Sequence, residues 1–248
     1  MDKYGLVGYP LGHSFSRDFF NKKFRNENID AEYINFEIPS VNSFPDILSG
    51  NPDLHGLNVT IPYKEKIMAY MDELSEEARQ IGAVNVVRIR IRNGNIFLKG
   101  FNSDVIGFTR SISPLLTPHH RKALILGTGG ASKAICYGLR QIGLDYTFVS
   151  RNPKEGMLDY SQITADIINE YQIIVNCTPV GTYPHTEECP ELPYAAIGNN
   201  HLLYDLVYNP EETLFLRKGR ERGAVTKNGL EMLTLQAQAG WEFWHSKD

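Results

Sequence analysis

The sequence predicts an α/β protein of two domains, one of them a doubly wound parallel sheet. Three observations carry that expectation. From residue 122 onward, short apolar strand-type runs alternate with helical segments, the rhythm of parallel strands joined by crossover helices. One of those strands, Lys122–Leu126, runs directly into glycines and then a helix. The chain has 248 residues, above the usual single-domain size and enough for two modest domains with a core each.

The elements follow in order. Tyr4–Gly8 predicts a strand, and Ser14 an N-cap opening a helix to about Asn28, with Phe15, Phe19, Phe20 and Phe24 close to one face. Glu32–Ile38 alternates as a strand and Leu54–Ile61 is a third; a helix is predicted over Tyr63–Leu74, just after Pro62. Ala83–Arg92 and Asn95–Lys99 flank Asn93-Gly94, a strong hairpin signal. A helix from near Ser103 stops before Pro114, and Thr117–His120 connects to the βα rhythm. There the predicted order is strand Lys122–Leu126, helix Gly130–Ile142, strand Tyr146–Ser150, helix Ser161–Tyr171, then strands Gln172–Cys177 and Leu202–Val207. A last helix, Leu230–Trp244, follows Asn228-Gly229. There is no internal repeat and no low-complexity tract.

Composition narrows the classes. Apolar residues are 42% and charged residues 22%, ordinary for a globular protein. A net charge of −4 gives no general attraction to nucleic acid or anionic lipid, so any phosphate must be held by local groups. Cys136, Cys177 and Cys189 are odd in number and lack a CxxC spacing, which argues against a disulfide framework or a cysteine zinc site. The polar start Met1–Gly8 does not resemble a signal peptide, and no run approaches about 18 apolar residues. The expectation is a cytoplasmic protein with no membrane or nucleic-acid partner.

The strand–turn–helix around Gly127, Thr128, Gly129, Gly130 and Ala131 predicts a dinucleotide site. Glycine allows the tight turn and lets a pyrophosphate approach backbone N–H groups at a helix N-terminus. Ser132 stands where the third glycine of such a turn is usual. Cofactor choice is read at the end of the next strand. There Ser150-Arg151-Asn152 offers an arginine and no acid, while Asp145 precedes the strand at the other end. A guanidinium can pair with a 2′-phosphate that a carboxylate would repel, so NADP is expected rather than NAD.

Three N-terminal segments carry polar groups a plain scaffold does not need. Gly8–Ser16 sets the hydroxyls of Ser14 and Ser16 at a helix start, suited to a carboxylate. Asn58 and Thr60 alternate onto one face of a strand end before Lys64, and Asn102-Ser103-Asp104 opens a helix with an acid. Taken singly, Ser14 and Ser103 also read as simple N-caps, Asp104 as a first-turn charge and Lys64 as a solvated lysine.

Together and in this order, these segments resemble the shikimate dehydrogenase family over nearly the full chain. The resemblance rests on His13–Ser16, Asn58–Lys64, Gly82–Asn85, Asn102–Asp104, Gly127–Ala131, Asn176–Gly181, Asp205–Tyr208, and Gly229–Leu233 reaching Gln236. It implies a substrate-binding and catalytic domain over 1–101, a Rossmann-like NADP domain over 102–228, and a C-terminal helix, 229–248, returning to the substrate domain. It implies reversible reduction of 3-dehydroshikimate to shikimate with NADPH, on the route to aromatic amino acids. It further implies that Ser14 and Ser16 hold the substrate carboxylate with Tyr208 nearby, and that Asn58, Thr60, Asn85, Asp104 and Gln236 bind ring hydroxyls. Lys64 with Asp104 would be the catalytic pair. Gly127–Ala131, Ser150, Arg151, Asn152, Leu206 and Gly229 would contact NADP, with Glu76 a further candidate. The sequence departs from the family pattern at Arg17 (usually Pro), Phe20 (His), Val86 (Thr), Ser103 (Thr) and Thr182 (Met).

The expected chemistry is hydride transfer from NADPH to a ring carbonyl, with the Lys64 ammonium protonating the developing alkoxide. His13, His55, His185 and His201 show no HxxxH-type spacing, so no metal is expected. Two other readings remain open: a quinate/shikimate dehydrogenase using NAD, and a non-catalytic NADP-binding sensor. The first conflicts with Arg151 and the second with the presence of both Lys64 and Asp104. A small-molecule substrate and a monomer or homodimer complete the expectation.

Overall fold

The computed structural model describes every residue except His13 and Asp248, so the histidine of the His13–Ser16 segment lies outside the described residues. Contacts divide the chain into two units, Met1–Ser103 with Ala237–Asp248, and Asp104–Gln236.

The first unit comprises β1 (Asp2–Gly8), α1 (Phe15–Glu27), β2 (Ala31–Glu37), α2 (Phe44–Gly50), β3 (Leu54–Val59), β4 (Glu73–Leu74), α3 (Glu76–Ile81), β5 (Val86–Arg92) and β6 (Asn95–Phe101). Among the described residues these strands form one mixed sheet in the order β2-β1-β3-β5-β6-β4. β1 pairs in parallel with β2 and β3, while β5 runs antiparallel to β3 and β6. Successive strand side chains leave opposite faces. Val7, Leu57, Val59 and Val87 therefore pack with Phe44 and Ile47 of α2, and Tyr4, Leu6 and Val86 with Phe20 and Phe24 of α1. Asn93 and Gly94 adopt φ of 51° and 79°, the left-handed pair required by the two-residue turn their identities predict.

The helix expected over Tyr63–Leu74 does not form. A 3₁₀ turn spans Lys66–Tyr70, and the chain then joins the sheet edge as β4. Asp72 explains why: its N–H donates to the Leu98 carbonyl (2.9 Å), and its carboxylate accepts the Leu98 N–H (2.7 Å). Tertiary pairing overrides a weak local preference. The sequence reading also passed over α2 and α3, of 7 and 6 residues, too short for helical periodicity to repeat. The caps of α3 were nonetheless present: Ser75 accepts from the Ala78 N–H at 3.1 Å, and Gly82 ends the helix at φ 72°.

The second unit contains α4 (Asp104–Ile112), β7 (Lys122–Leu126), α5 (Gly130–Gln141), β8 (Asp145–Val149), α6 (Ala165–Glu170), β9 (Ile173–Asn176), β10 (Leu202–Asp205), α7 (Leu214–Glu221) and β11 (Val225–Lys227). It also holds the start of α8 (Leu230–His245), whose end belongs to the first unit. Its strands run in parallel in the order β11-β10-β9-β7-β8. Both faces are covered, as a parallel sheet requires. Ala123 and Ile125 pack with Phe108 of α4 and Ile135 of α5, and Leu124 and Leu126 with Ile168 of α6 and Phe215 of α7. The expected helix over Ser161–Tyr171 is cut in two, because Asp159 caps a 3₁₀ turn at Tyr160–Gln162 and Thr164 caps α6. Asp145 is the first residue of β8 rather than lying before it, still at the end opposite Arg151.

At the far end of α8, Ala237 and Trp244 join the Tyr4–Phe20 cluster. Buried Arg88 on β5 donates to the Ser246 carbonyl and hydroxyl at 2.7 and 2.8 Å, and Arg90 donates to the Trp244 carbonyl. Cationic donors satisfy the orphan carbonyls of the helix end.

Candidate active site

In the first unit the polar cluster grows from the ends of β1 and β3. The Thr60 N–H donates to Val7 (2.9 Å) and the Tyr9 N–H to Ile61 (3.1 Å), locking the two strand ends together. Gly8 permits the approach, since a Cβ there would lie 2.5 Å from the Thr60 methyl and 2.7 Å from Leu11. Ser14 and Ser16, at the start of α1 after β1, thereby share one region of the unit with Asn58 and Thr60, at the end of β3. Ser14 does act as the N-cap, accepting from the Arg17 N–H at 3.2 Å. A hydroxyl that accepts still has its hydrogen to give, so capping and anion binding are compatible.

Behind the hydroxyls runs a buried chain of neutral polar groups. The Tyr33 phenol lies beside the Ser16 side chain and donates to Asn58 Oδ1 at 2.8 Å. Asn58 Nδ2 reaches the Asn85 carbonyl at 3.4 Å. Asn85 Nδ2 donates to Ser103 Oγ at 3.0 Å, and Asn85 Oδ1 accepts the Ser103 N–H at 2.7 Å. Burial pushes the Tyr33 phenol well above its ordinary range, so it stays protonated. Lys64 is half-buried, and its backbone is pinned: its carbonyl accepts the Val84 N–H at 2.8 Å, and neighbouring Tyr63 donates to the Ile38 carbonyl at 2.6 Å.

In the second unit the sheet order reverses at β7, the switch point beside which α/β sheets bind ligands. The chain leaves β7 through Gly127, at φ 94°, and enters α5 at Gly130 with no side-chain cap. A Cβ added at Gly129 or Gly130 meets nothing within 4 Å, so the space over the first turn is open to an anion drawn by N–H groups and the helix dipole. Ser132 fits the turn without a third glycine because its hydroxyl folds back to the Gly129 carbonyl at 2.7 Å. Exposed Arg151 and Asn152 follow β8, with the Asn152 N–H donating to Ser150 Oγ at 3.2 Å.

The end of β9 is stiffened by a fully buried carboxylate. Asp205 accepts from Asn176 Nδ2 (3.0 Å), the Val207 N–H (3.0 Å) and the Thr213 hydroxyl (2.6 Å), while Asn176 Oδ1 takes the Thr178 hydroxyl at 2.6 Å. Burial raises the Asp205 carboxyl to about 6 despite these donors. Gly229 packs so tightly on the Leu206 carbonyl that any Cβ would displace it, so these two expected cofactor residues adjoin.

Residues 6–87 match the family described as the shikimate dehydrogenase substrate binding domain. The NADP(+)-dependent shikimate dehydrogenase of Caldanaerobacter subterraneus is 36% identical over 263 residues, covering 97% of this chain and 90% of that relative. The chain belongs to the shikimate dehydrogenase family. The crystal structure of the Thermus thermophilus enzyme in complex with NADP(H) and shikimate is similar at a TM-score of 0.85 and 30% identity, covering 99% of this chain and 94% of that one. A 5-ketofructose reductase of Gluconobacter is similar at a TM-score of 0.82 and 27% identity, covering 99% and 93%.

Within this shikimate dehydrogenase family member, Ser14, Ser16, Asn58, Thr60, Lys64 and Asn85 belong to the first unit, and Asp104, Tyr208 and Gln236 to the second. Asp104 opens α4 and is buried, Tyr208 is exposed beyond β10, and Gln236 is buried on α8, donating to the Leu233 carbonyl at 2.9 Å. The expected cofactor residues belong to the second unit except Glu76, which lies on α3 of the first and bonds to Gln80 at 2.7 Å. Sequence reasoning missed Tyr33 and the Asp205–Thr213 contact. Among the described residues, no group of His, Cys, Asp or Glu is arranged to hold a metal ion, and no helix is long and apolar enough to cross a membrane.

Proposed function

We propose that this chain is an NADP-dependent shikimate dehydrogenase, reversibly reducing 3-dehydroshikimate to shikimate in aromatic amino-acid biosynthesis. The observation that carries the reading is one chain holding both the Ser16–Tyr33–Asn58–Asn85 cluster of hydroxyls and amides and the uncapped glycine turn before α5. The first suits a polyhydroxylated acid and the second a pyrophosphate.

The residues present fit NADP. The N–H groups at Gly129–Ala131 would take the pyrophosphate, and Arg151, with Ser150 and Asn152, the 2′-phosphate, in a run 150–154 that carries no acid of its own. Gly127, Thr128, Leu206 and Gly229 would line the remainder. When bound, NADPH supplies the hydride.

The Lys64 ammonium gives its proton to the ring oxygen as negative charge develops there. Asp104 holds a ring hydroxyl. Ser14 and Ser16 donate to the carboxylate, and Asn58, Thr60, Asn85 and Gln236 to ring hydroxyls, with Tyr208 beside the acid. The same reading places the protein in the cytoplasm, as a monomer or homodimer.

The likeness to a 5-ketofructose reductase makes substrate choice worth measuring directly. Turnover assayed with shikimate, quinate and 5-ketofructose, each with NADP and NAD in the matching redox state, should favour shikimate with NADP+ at least about tenfold in kcat/KM. No turnover of shikimate, or a preference for quinate with NAD+, would overturn the reading.

A further inference from the structure

We infer that Tyr33 is a positioning residue of the substrate site: it holds Asn58 and Ser16 at a fixed spacing and sets which end of the Asn58 amide is presented to the substrate. The inference rests on the functional reading above and adds a residue to its machinery. Tyr33 lies on β2 at 1% exposure, where the plain reading is a core aromatic. A buried tyrosine needs one partner for its hydroxyl. This one donates to Asn58 Oδ1 at 2.8 Å and lies beside the Ser16 hydroxyl, on two other elements, and both are residues assigned to the substrate.

The ring is held where it must be for that work. Phe20 stacks on it with centroids 4.9 Å apart and planes 14° from parallel, which gives the departure at Phe20 a role in this chain. The Asn21 side chain grips the Tyr33 backbone on both sides, donating to its carbonyl and accepting its N–H, each at 2.9 Å. With the phenol O–H committed to Asn58 Oδ1, Nδ2 is the end of the amide left for other partners, and the Ser16 hydroxyl lies beside the phenol oxygen. A serine hydroxyl turns freely, so Ser16 can swing its hydrogen to an arriving carboxylate while Tyr33 keeps Asn58 in place.

Removing the phenol oxygen strands a buried acceptor and frees the amide to turn over. The bond to Asn58 stays in place from substrate binding through reaction, so its loss weakens ground state and transition state alike and appears in KM. Tyr33→Phe should raise KM for shikimate about 5- to 20-fold, change kcat less than about threefold, and leave NADP+ affinity within about twofold. In an Asn58→Ala background the same change should multiply KM by less than about twofold, because its principal partner is already gone.

Wild-type turnover of shikimate separates the two readings. Its absence overturns the functional reading and this inference with it. Normal wild-type turnover with an unchanged KM in Tyr33→Phe overturns the inference alone, as does a full multiplication of KM in the Asn58→Ala background. Should Tyr33→Phe fail to fold, Ser16→Ala and Asn58→Ala carry the test: coupled through Tyr33, their joint effect on KM should fall at least about threefold short of the product of the single effects. A simple product would sink the idea.

Discussion

The two units build recognition from different materials. In the first, side chains hold one another: Tyr33, Asn58, Asn85 and Ser103 form a chain of neutral hydrogen bonds running from beside Ser16 at the start of α1 to the residue before α4. In the second, the backbone does most of it, through Gly127 at positive φ, an uncapped helix start and open space over Gly129 and Gly130. A small polyhydroxylated acid must be told apart from its near relatives, which needs directional donors and acceptors at several points. A pyrophosphate needs charge and room, which amides and glycine supply. Single side-chain deletions should therefore act sharply in the first unit and weakly at the turn of the second.

Lys64 gives the largest expected effect. Lys64→Ala should lower kcat about 10²- to 10⁴-fold, with a much smaller change in shikimate affinity, since its contribution grows as charge develops on the ring oxygen. Steady-state kinetics with a separate binding measurement would check it. Near-normal kcat would show that the proton comes from elsewhere, and the first unit would then be a binding module only.

The contrast also explains what was legible in the sequence. Glycines carry backbone requirements in their identity, so Asn93-Gly94 and the Gly127–Gly130 turn could be read directly, and β7 emerges with the predicted bounds Lys122–Leu126. Ser14 could be read as a cap because its partner, Arg17, is three residues away. Tyr33 could not, because its partner Asn58 lies 25 residues along the chain, and nothing local distinguishes it from any aromatic of a buried strand. Asp205 sat within a quoted motif, but its dependence on Thr213 appears only once the loop after β10 folds back. The run 63–74 was misread because β4 is made by its pairing with β6 rather than by its own residues. α7 and β11 were passed over in a polar stretch, although Thr213 caps α7.

Charge separates the units a second way. The first unit's buried chain is neutral, whereas the second unit's is centred on Asp205, whose carboxyl burial raises from 3.8 to about 6. A folded-state value above the unfolded one means the native chain holds a proton between about pH 4 and 6 that the unfolded chain has released. The stability Asp205 contributes is therefore present below about pH 4 and lost as pH rises through about 6, by on the order of 3 kcal/mol. Asp205→Asn removes that titration and can still meet Thr213 by donating to its hydroxyl. Denaturant unfolding of both proteins at pH 4 and 7 should show the wild type losing ground to the variant as pH rises. Parallel pH profiles would mean that the donors around Asp205 fully offset its burial.

Arg151 is a cationic side chain assigned to a site made largely of backbone, and it tests how far the comparison extends. It lies exposed just past β8, with Ser150 Oγ and the Asn152 N–H bonded beside it, so removing it disturbs no core. If it pairs with the 2′-phosphate, the loss is of charge-assisted hydrogen bonds worth roughly 1.5–3 kcal/mol. Arg151→Ala should then lower kcat/KM with NADPH about 10- to 100-fold and leave the value with NADH nearly unchanged, because NADH has no phosphate there. An exposed ion pair is screened by salt, so the penalty should shrink as ionic strength rises, whereas a loss caused by a distorted turn would persist and fall on both cofactors. A cofactor ratio that stays at the wild-type value would remove Arg151 from the site and leave discrimination to the backbone around Ser150–Asn152. A ratio that collapses would show that even the backbone-built half delegates its one choice between ligands to a side chain.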